Sequence, residues 1–240
     1  MNNRYFWLSL FFAFTFLFSC SKDSEDLSPE SDFSEYELEV IRYFKEVALG
    51  FEGGNSSAIT RKWRLPMRVF LDGDLSDPII NKVERTVNEI NELATDGFSV
   101  EMVNDSIRSN CYVFFGTTSQ FIEKFPDAED TIDKNYGLFN VWWNFNYINR
   151  ARIFIDTDRP SLTEQESLIV EEITQSLGLG KDSPRYPNSI FYETSDDGGF
   201  AREYADIDKE LIRLLYHPDM RVGLSRSEVD NVLKEIFESE

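Results

Sequence analysis

The stretch 168–192 constrains the fold of this chain more than any other part of the sequence. If the stretch begins as a helix, Glu171, Gln175 and Gly178 fall at i, i+4 and i+7 and therefore share one face. Lys181 follows at the spacing where the chain would turn back. The pattern predicts a helix that presents polar side chains on one face and ends near a glycine.

The same spacing resembles the metzincin zinc-protease signature H-E-x-x-H-x-x-G-x-x-H. In that signature three His bind zinc, Glu is the general base and Gly allows the turn. Glu171, Gln175 and Lys181 stand at the three His positions, whereas Glu172 and Gly178 match the signature. The resemblance implies a helix of the active-site type that lacks its zinc ligands.

A second segment follows in the order that the metzincins have. Ser189, Ile190, Phe191 and Tyr192 resemble the S-I-M-x-Y form of the Met-turn, with Phe191 in place of Met. The layout is similar to that of an uncharacterised family of bacterial lipoproteins, a domain of unknown function related to the zincin-like peptidases. This resemblance implies an α+β fold of the zincin/metzincin type, with a mixed, mostly parallel twisted sheet, an active-site-type helix and a helical C-terminal part.

The side chains around the predicted helix are poor ligands for zinc. Zinc in a protease site takes neutral imidazole nitrogens and keeps an open position for water, and His217 is the only His in the sequence. Lys181, a cation at neutral pH, would repel a metal. We therefore expect no zinc and no cofactor. Two alternatives stay open: the motif makes only polar contacts inside a relict cleft, or a hard cation binds to Glu171, Glu172 and Asp182.

Residues 1–19 predict a signal peptide that ends in a lipobox. They carry one basic residue, Arg4, followed by an apolar run over 5–18 that is too short to span a bilayer. The run ends in Leu-Phe-Ser before Cys20, which would become the lipidated first residue. We expect the protein to contact the membrane through this lipid.

Residues 20–33 predict a flexible acidic tether, because they are polar and show no apolar periodicity. The acidic cluster behind the cysteine resembles the signal by which Bacteroidota send lipoproteins to the outer face of the outer membrane; a plain solvated spacer is the alternative. The expected location is the bacterial outer membrane, with the protein facing the periplasm or the cell surface.

Composition excludes two features. The chain has 44 Asp and Glu against 24 Lys and Arg, a formal net charge of −20. Nucleic acids and anionic membrane surfaces are negatively charged and bind proteins through basic side chains. Nucleic acid is therefore not an expected partner. With Cys20 lipidated, Cys111 is the remaining cysteine, in an apolar run that predicts a buried strand with an inert thiol, and no disulfide is expected.

Residues 34–240 are predicted to form a single zincin-like domain. Capping boxes predict helices that open at Ser34, Thr163 and Ser225. The other expected elements are a strand over Trp63–Leu71, a helix from Asp77, strands over 98–103 and 111–116, a short helix over 119–125, a hairpin over 137–155 that turns at Asn149-Arg150, and a helix from Asp206 that stops at His217.

The first arm of the hairpin, 137–147, is rich in aromatic residues. In the zincins this strand edges the cleft above the active-site helix and pairs with an extended substrate. The resemblance implies that Trp142 and Trp143 form a wall of that groove; packing in the core is the alternative.

Two main hypotheses for the function follow. The first is a non-catalytic, lipid-anchored domain that binds a peptide, a glycan or a partner protein in the relict cleft. The second is a hydrolase with Glu172 as general base, either without a metal or with a hard metal on Glu171, Gln175 and Asp182. General-base catalysis contributes about 10²–10⁴-fold, but attack on a peptide also needs an electrophilic partner, which the sequence does not supply. A structural subunit of an envelope assembly is a third hypothesis, for which a large exposed apolar patch would be the mark.

Overall fold

The computed structural model describes residues 33–52, 56–132, 135–194 and 200–239. The predicted signal peptide, Cys20 and the tether up to residue 32 lie outside this range. Among the residues it does describe, no helix has both the length and the apolar character needed to cross a membrane.

Helices alternate with pairs of strands along the first two thirds of the described chain, and helices dominate the rest. The helices are α1 (Glu35–Val47), α2 (Asp77–Leu93), α3 (Thr118–Lys124), α4 (Glu129–Ile132), α5 (Leu162–Gln175), α6 (Asp206–Leu215) and α7 (Arg226–Ser239). The strands are β1 (Lys62–Trp63), β2 (Met67–Gly73), β3 (Val100–Met102), β4 (Cys111–Gly116), β5 (Gly137–Asn144) and β6 (Tyr147–Asp156).

The strands form one sheet in the order β1-β6-β4-β2-β3, and every neighbouring pair in this series is parallel. Strand β5 pairs antiparallel with β6 and is off this series, so its other edge has no strand partner within the described residues. The mixed, mostly parallel sheet that the resemblance implies is therefore confirmed. Its one antiparallel strand is an edge strand.

The core lies where the central strands meet the helices. Strand β4 is buried along almost its whole length, as expected of a central parallel strand covered on both faces. Cys111 at its start is fully buried, and burial raises the pKa of its thiol far above the usual value, so little thiolate forms. Helix α5 places Ile169, Val170 and Ile173 in the same core.

The single strand predicted over Trp63–Leu71 is wrong. Strand β1 ends at Trp63 and β2 begins at Met67. Pro66 lies between them, and proline has no N–H to donate to a sheet ladder. The apolar alternation on both sides of this break comes from two strands in different parts of the sheet, because β1 pairs with β6 and β2 pairs with β3 and β4.

The hairpin turn and the start of α5 also differ from the prediction. The hairpin turns at Phe145-Asn146, whose φ angles of 50° and 65° lie in the left-handed region, and the predicted turn Asn149-Arg150 lies inside β6. Helix α5 begins two residues earlier than expected, because Ser161 and Glu164 form the capping box.

A candidate binding cleft between strand β5 and helix α5

A cavity of about 1030 Å³ lies between the edge strand β5 and helix α5. Backbone and side chains of 137–141 line one wall, and Leu168, Glu171, Glu172 and Gln175 of α5 line the other. The capping box fixes the start of α5, while Ile169, Val170 and Ile173 hold its apolar face in the core. The polar face of the helix is thereby directed toward the edge of the sheet.

Gly178 is required by the turn that follows α5. Its φ is +121°, and a Cβ built on it would lie 2.0 Å from the backbone oxygen of Arg61. Any other residue would clash with rigid backbone there. The backbone therefore requires glycine at this position of the signature, whether or not the site is catalytic.

The structure separates the three ligand-position residues. Glu171 and Gln175 line the cleft, whereas Lys181 does not; Lys181 lines a separate surface cavity of about 310 Å³. The next residue, Asp182, lines the cleft. The carboxylate of Asp182 therefore lies beside the positions of the first two signature ligands, and the lysine ammonium group does not.

The side chain of Gln175 is hydrogen-bonded to the carboxyl group of Asp182. Its Nε2 donates a 2.6 Å hydrogen bond to Oδ1 of Asp182, and the Gln175 side chain is buried. The N–H of Asp182 donates in turn to Oε1 of Glu52 at 3.2 Å. These bonds tie the end of α5 to the segment that follows α1.

Glu172, the residue at the general-base position, is 6% exposed. Its Oε2 has no hydrogen-bond partner among the described residues. Its Oε1 lies under the first residue of β5, since a Cβ built on Gly137 would come within 2.3 Å of it. Glu172 is thus a buried carboxyl group at the floor of the cleft, with one oxygen unsatisfied.

Two further carboxylates in the cleft were not predicted from the sequence. Glu52 is placed there because Phe51 forms a parallel bridge with Gly180, and Glu193 follows Tyr192 directly. The position of Glu193 beside the Met-turn-like segment is a signal that was available in the sequence. Glu52 had no such signal, because only tertiary pairing brings its loop to α5.

Five carboxyl groups therefore share one cavity, and the pKa values of three of them are raised. Burial, followed by the charges of Glu193 and Glu52, raises the pKa of Glu171 to about 8. Burial, a hydrogen bond with Glu193 and the neighbouring charges raise the pKa of Asp182 to about 10. Burial and the charges of Glu171 and Glu193 raise the pKa of Glu172 well above its usual range. The cleft thus crowds acidic groups in a poorly solvated space.

Aromatic rings form the remaining wall. Phe51 stacks on Trp143 with ring centroids 5.5 Å apart, and Phe139 lies 6.1 Å from Phe51. The guanidinium of Arg61 lies 4.6 Å from the Trp143 ring. Trp142 is not among the residues that line the cavity; its ring lies 4.0 Å from the guanidinium of Arg150. The structure therefore places Trp143 in the cleft and Trp142 outside it.

The Met-turn-like segment packs under the cleft. Phe191 is fully buried, its ring makes an edge-type contact with the ring of Tyr43, and Tyr192 lines the cavity. Ser189 Oγ donates to Oδ1 of Asp208 at 2.6 Å, and the N–H of Ile190 donates to Oδ2 at 3.1 Å. The first turn of α6 thus anchors the segment.

His217 lies away from the cleft, just after α6. Its Nδ1 accepts a 3.2 Å hydrogen bond from the N–H of Asp219, and its backbone oxygen accepts one from Lys62. These contacts stabilise the end of the helix, so the single imidazole of the sequence has a local structural role.

Known proteins give a family match and a weak structural likeness. Residues 37–235 match a family described as "Protein of unknown function (DUF2927)". No curated protein matches the chain. Two solved structures of myroilysin are similar at 14% identity and a TM-score of 0.41; one match covers 65% of this chain and the other 72%, each with 95% of the myroilysin chain. Similarity this low carries no conclusion about activity.

Proposed function

The chain belongs to the DUF2927 family of proteins of unknown function, and we propose that it is a lipid-anchored bacterial envelope protein that binds an extended peptide without cleaving it. In this proposal the domain is a degenerate zincin-like fold, a pseudo-metalloprotease. The ligand lies in the cleft between β5 and α5.

The unpaired edge of β5 is the observation that carries the proposal. This strand pairs with β6 alone among the described strands, and 137–141 line the cleft. An extended peptide can add a strand to such an edge through main-chain hydrogen bonds, with pockets that receive alternate side chains. Of the three ligand classes expected for the cleft, a peptide or an extended segment of a partner protein uses this edge, and a glycan does not.

The walls of the cleft set the chemistry of the ligand. Phe51, Phe139 and Trp143 offer aromatic surface, and the carboxyl groups of α5 lie opposite. Apolar side chains gain from contact with the rings, whereas an acidic peptide is repelled by the exposed carboxylates of Glu52 and Glu193 in the same cavity. The preferred ligand is therefore an apolar or basic peptide.

A zinc ion of the metzincin kind does not fit the residues present. The first two signature positions supply a carboxylate and an amide, Glu171 and Gln175, and Lys181 lies outside the cavity. The single imidazole of the sequence, His217, is held at the end of α6. A site of two or three imidazoles, as zinc proteases use, cannot be built from this chain, which has one His.

Binding is tested with arrays of short peptides and fluorescence anisotropy of the hits. Trp143→Ala removes a ring from the cleft and weakens binding by about tenfold or more. Trp142→Ala is the matched control, because that ring lies outside the cavity, and it leaves binding unchanged. Equal losses in both variants, or no peptide binding at all, would contradict the proposed function.

The lipid anchor is tested separately. The lipobox before Cys20 supports it. In cells fed a labelled fatty acid, the wild-type protein takes up label and sediments with membranes, whereas Cys20→Ala does neither. Label retained by Cys20→Ala would exclude this cysteine as the anchor.

A hydrolase is the second candidate function. The buried carboxyl of Glu172, with its raised pKa, is the observation in its favour, since general acids and bases are tuned by burial. Peptide or ester hydrolysis that disappears in Glu172→Gln, with the variant folded as the wild type, would establish it. Equal background hydrolysis in both proteins supports the binding function.

A further inference from the structure

Three carboxylates from separate segments converge at one end of the cleft. They belong to Glu52 after α1, Asp182 after α5 and Glu193 after the Met-turn-like segment, and one oxygen of each lies within 4.8 Å of the others. Calcium binds carboxylate oxygens at about 2.3–2.6 Å, so two ligands of one ion are at most about 5 Å apart. The three oxygens are therefore close enough to share a single calcium ion.

A buried group independent of these three also calls for a counter-charge. Glu172 lines the same cavity and is 6% exposed, and its Oε2 has no hydrogen-bond partner among the described residues. An unpaired carboxylate in such a place costs free energy unless a cation or a proton neutralises it. No Lys or Arg in the described part of the chain forms an ion pair with Glu172 or with the three converging carboxylates.

We propose that this end of the cleft is a calcium site formed by Glu52, Asp182 and Glu193, in the same cavity as the buried carboxyl group of Glu172. The ligand set differs from the set Glu171, Glu172 and Asp182 considered from the sequence, because Glu52 and Glu193 take the places of Glu171 and Glu172. The site does not depend on peptide binding. It goes beyond the proposed function and can be tested without any peptide.

The donor atoms select calcium over other cations. All three converging groups are carboxylates, which hard cations prefer, and the set contains no imidazole or thiolate for zinc. Magnesium demands near-ideal octahedral geometry at about 2.0–2.1 Å, whereas calcium accepts irregular sets of six to eight oxygens. Glu52 and Glu193 are exposed, which leaves room for water ligands and predicts an affinity of about 10⁻⁴–10⁻³ M, the range of extracellular calcium modules.

The ion would link three parts of the chain that otherwise meet through few bonds. The backbone of Glu52 bonds to Gly180, and the N–H of Asp182 bonds to Glu52. A ligand that binds only the folded state raises its stability by mass action. Calcium should therefore raise the melting temperature as well as bind.

Calcium binding is measured by isothermal titration of CaCl₂ into chelator-treated protein, and by luminescence of Tb³⁺ as a calcium substitute. Trp143 and Tyr192 line the same cavity, so they can sensitise bound Tb³⁺. We expect saturable binding near one equivalent, displacement of Tb³⁺ by excess Ca²⁺, and a higher melting temperature with Ca²⁺.

Glu52→Gln and Glu193→Gln should each weaken binding by about tenfold or more, because each removes a charged ligand. Glu235→Gln on α7 makes the same charge change at an exposed site and serves as the control, with unchanged affinity. Circular dichroism without Ca²⁺ confirms that each variant is folded. If only one of the two ligand variants folds, that variant alone completes the test. No saturable Ca²⁺ binding by the wild type, or equal affinity in all three variants, would overturn the site.

Discussion

Nε2 of Gln175 donates a 2.6 Å hydrogen bond to Oδ1 of Asp182. The residue at the second ligand position of the metzincin signature is thus held by the residue next to the third position. The interaction stabilises the acidic end of the cleft by giving one of its carboxyl groups a neutral donor.

Replacement of Gln175 should show how much this hydrogen bond contributes to the free energy of unfolding. Gln175→Ala leaves the Asp182 carboxyl without its amide donor in a poorly solvated site, which should lower the free energy of unfolding by about 1–3 kcal/mol. Gln175→Glu keeps the shape but adds another carboxyl, so its loss should be larger near pH 8 than near pH 5. Urea denaturation at the two pH values measures both effects. Stability equal to that of the wild type would show that the bond is not maintained in solution.

The cleft should make the protein less stable as pH rises. The pKa of Glu171 is raised to about 8 from 4.5, and that of Asp182 to about 10 from 3.8, in both cases first by burial. The folded state therefore holds these protons more tightly than the unfolded chain does. This stabilisation is complete below the ordinary carboxyl pKa values and is lost as pH rises through the folded values.

Thermal unfolding in chelator-containing buffer across pH 5 to pH 10 checks this dependence. Glu171→Gln should remove the part of the decline that ends near pH 8, and Asp182→Asn the part that continues toward pH 10. Glu235→Gln should follow the wild-type curve. A melting temperature that is flat over this range in the wild type would contradict the raised pKa values.

The start of β5 should not tolerate a side chain. In Gly137→Ala the new Cβ would lie 2.3 Å from Oε1 of Glu172 and 2.9 Å from Cδ2 of Leu168. Overpacking of this kind lowers the free energy of unfolding by about 1–3 kcal/mol.

A double-mutant cycle with Glu172→Ala tests whether the new methyl group clashes with the carboxyl group of Glu172. Removal of the carboxyl makes room for the methyl group, so the double variant should recover about 0.5 kcal/mol or more relative to the sum of the single changes. Additive changes would mean that Glu172 does not contact Gly137. Chemical denaturation of the four proteins is sufficient.

Asp208 should be one of the most sensitive positions in the domain. It is fully buried and accepts hydrogen bonds from the Ser189 hydroxyl and from the N–H groups of Ile190 and Ala205. Asp208→Ala leaves these donors unsatisfied and should cost about 3 kcal/mol or more.

Asp206→Ala in the same helical turn is the matched control. Asp206 is exposed, and its interaction with the helix dipole is worth about 0.3–1 kcal/mol. Similar losses in the two variants, measured by urea denaturation, would show that the anchor of the Met-turn-like segment contributes little.

The sequence predicted the elements with strong local signals. The helix that carries Glu171 and Gln175 and the buried strand at Cys111 follow from periodicity and apolar runs, whereas the mostly parallel sheet was implied by the resemblance to the zincins. The hairpin turn was misplaced because one of its two residues is Phe145, a residue type that rarely adopts a positive φ. Turns favour Asn, but this stretch holds both Asn146 and Asn149, and the chain turns at Asn146.

Only part of the candidate site could be predicted from the sequence. Glu171, Glu172, Gln175 and Asp182 come from one continuous stretch, so their proximity follows from helical spacing. Glu52 reaches the cleft through the bridge between Phe51 and Gly180, a long-range pairing with no local signature. The side of β5 that each tryptophan occupies depends on the strand register and the bulge between Trp142 and Trp143.

An unpaired strand edge is also a risk for the protein itself, since two copies can join edge to edge and begin to aggregate. In this domain the free edge of β5 lies beside the acidic cavity. Two copies joined through β5 would bring two such cavities together, and their like charges would repel each other. The carboxyl groups that line the cleft thus oppose self-association, and they oppose it more strongly as pH rises and Glu171 and Asp182 lose their protons.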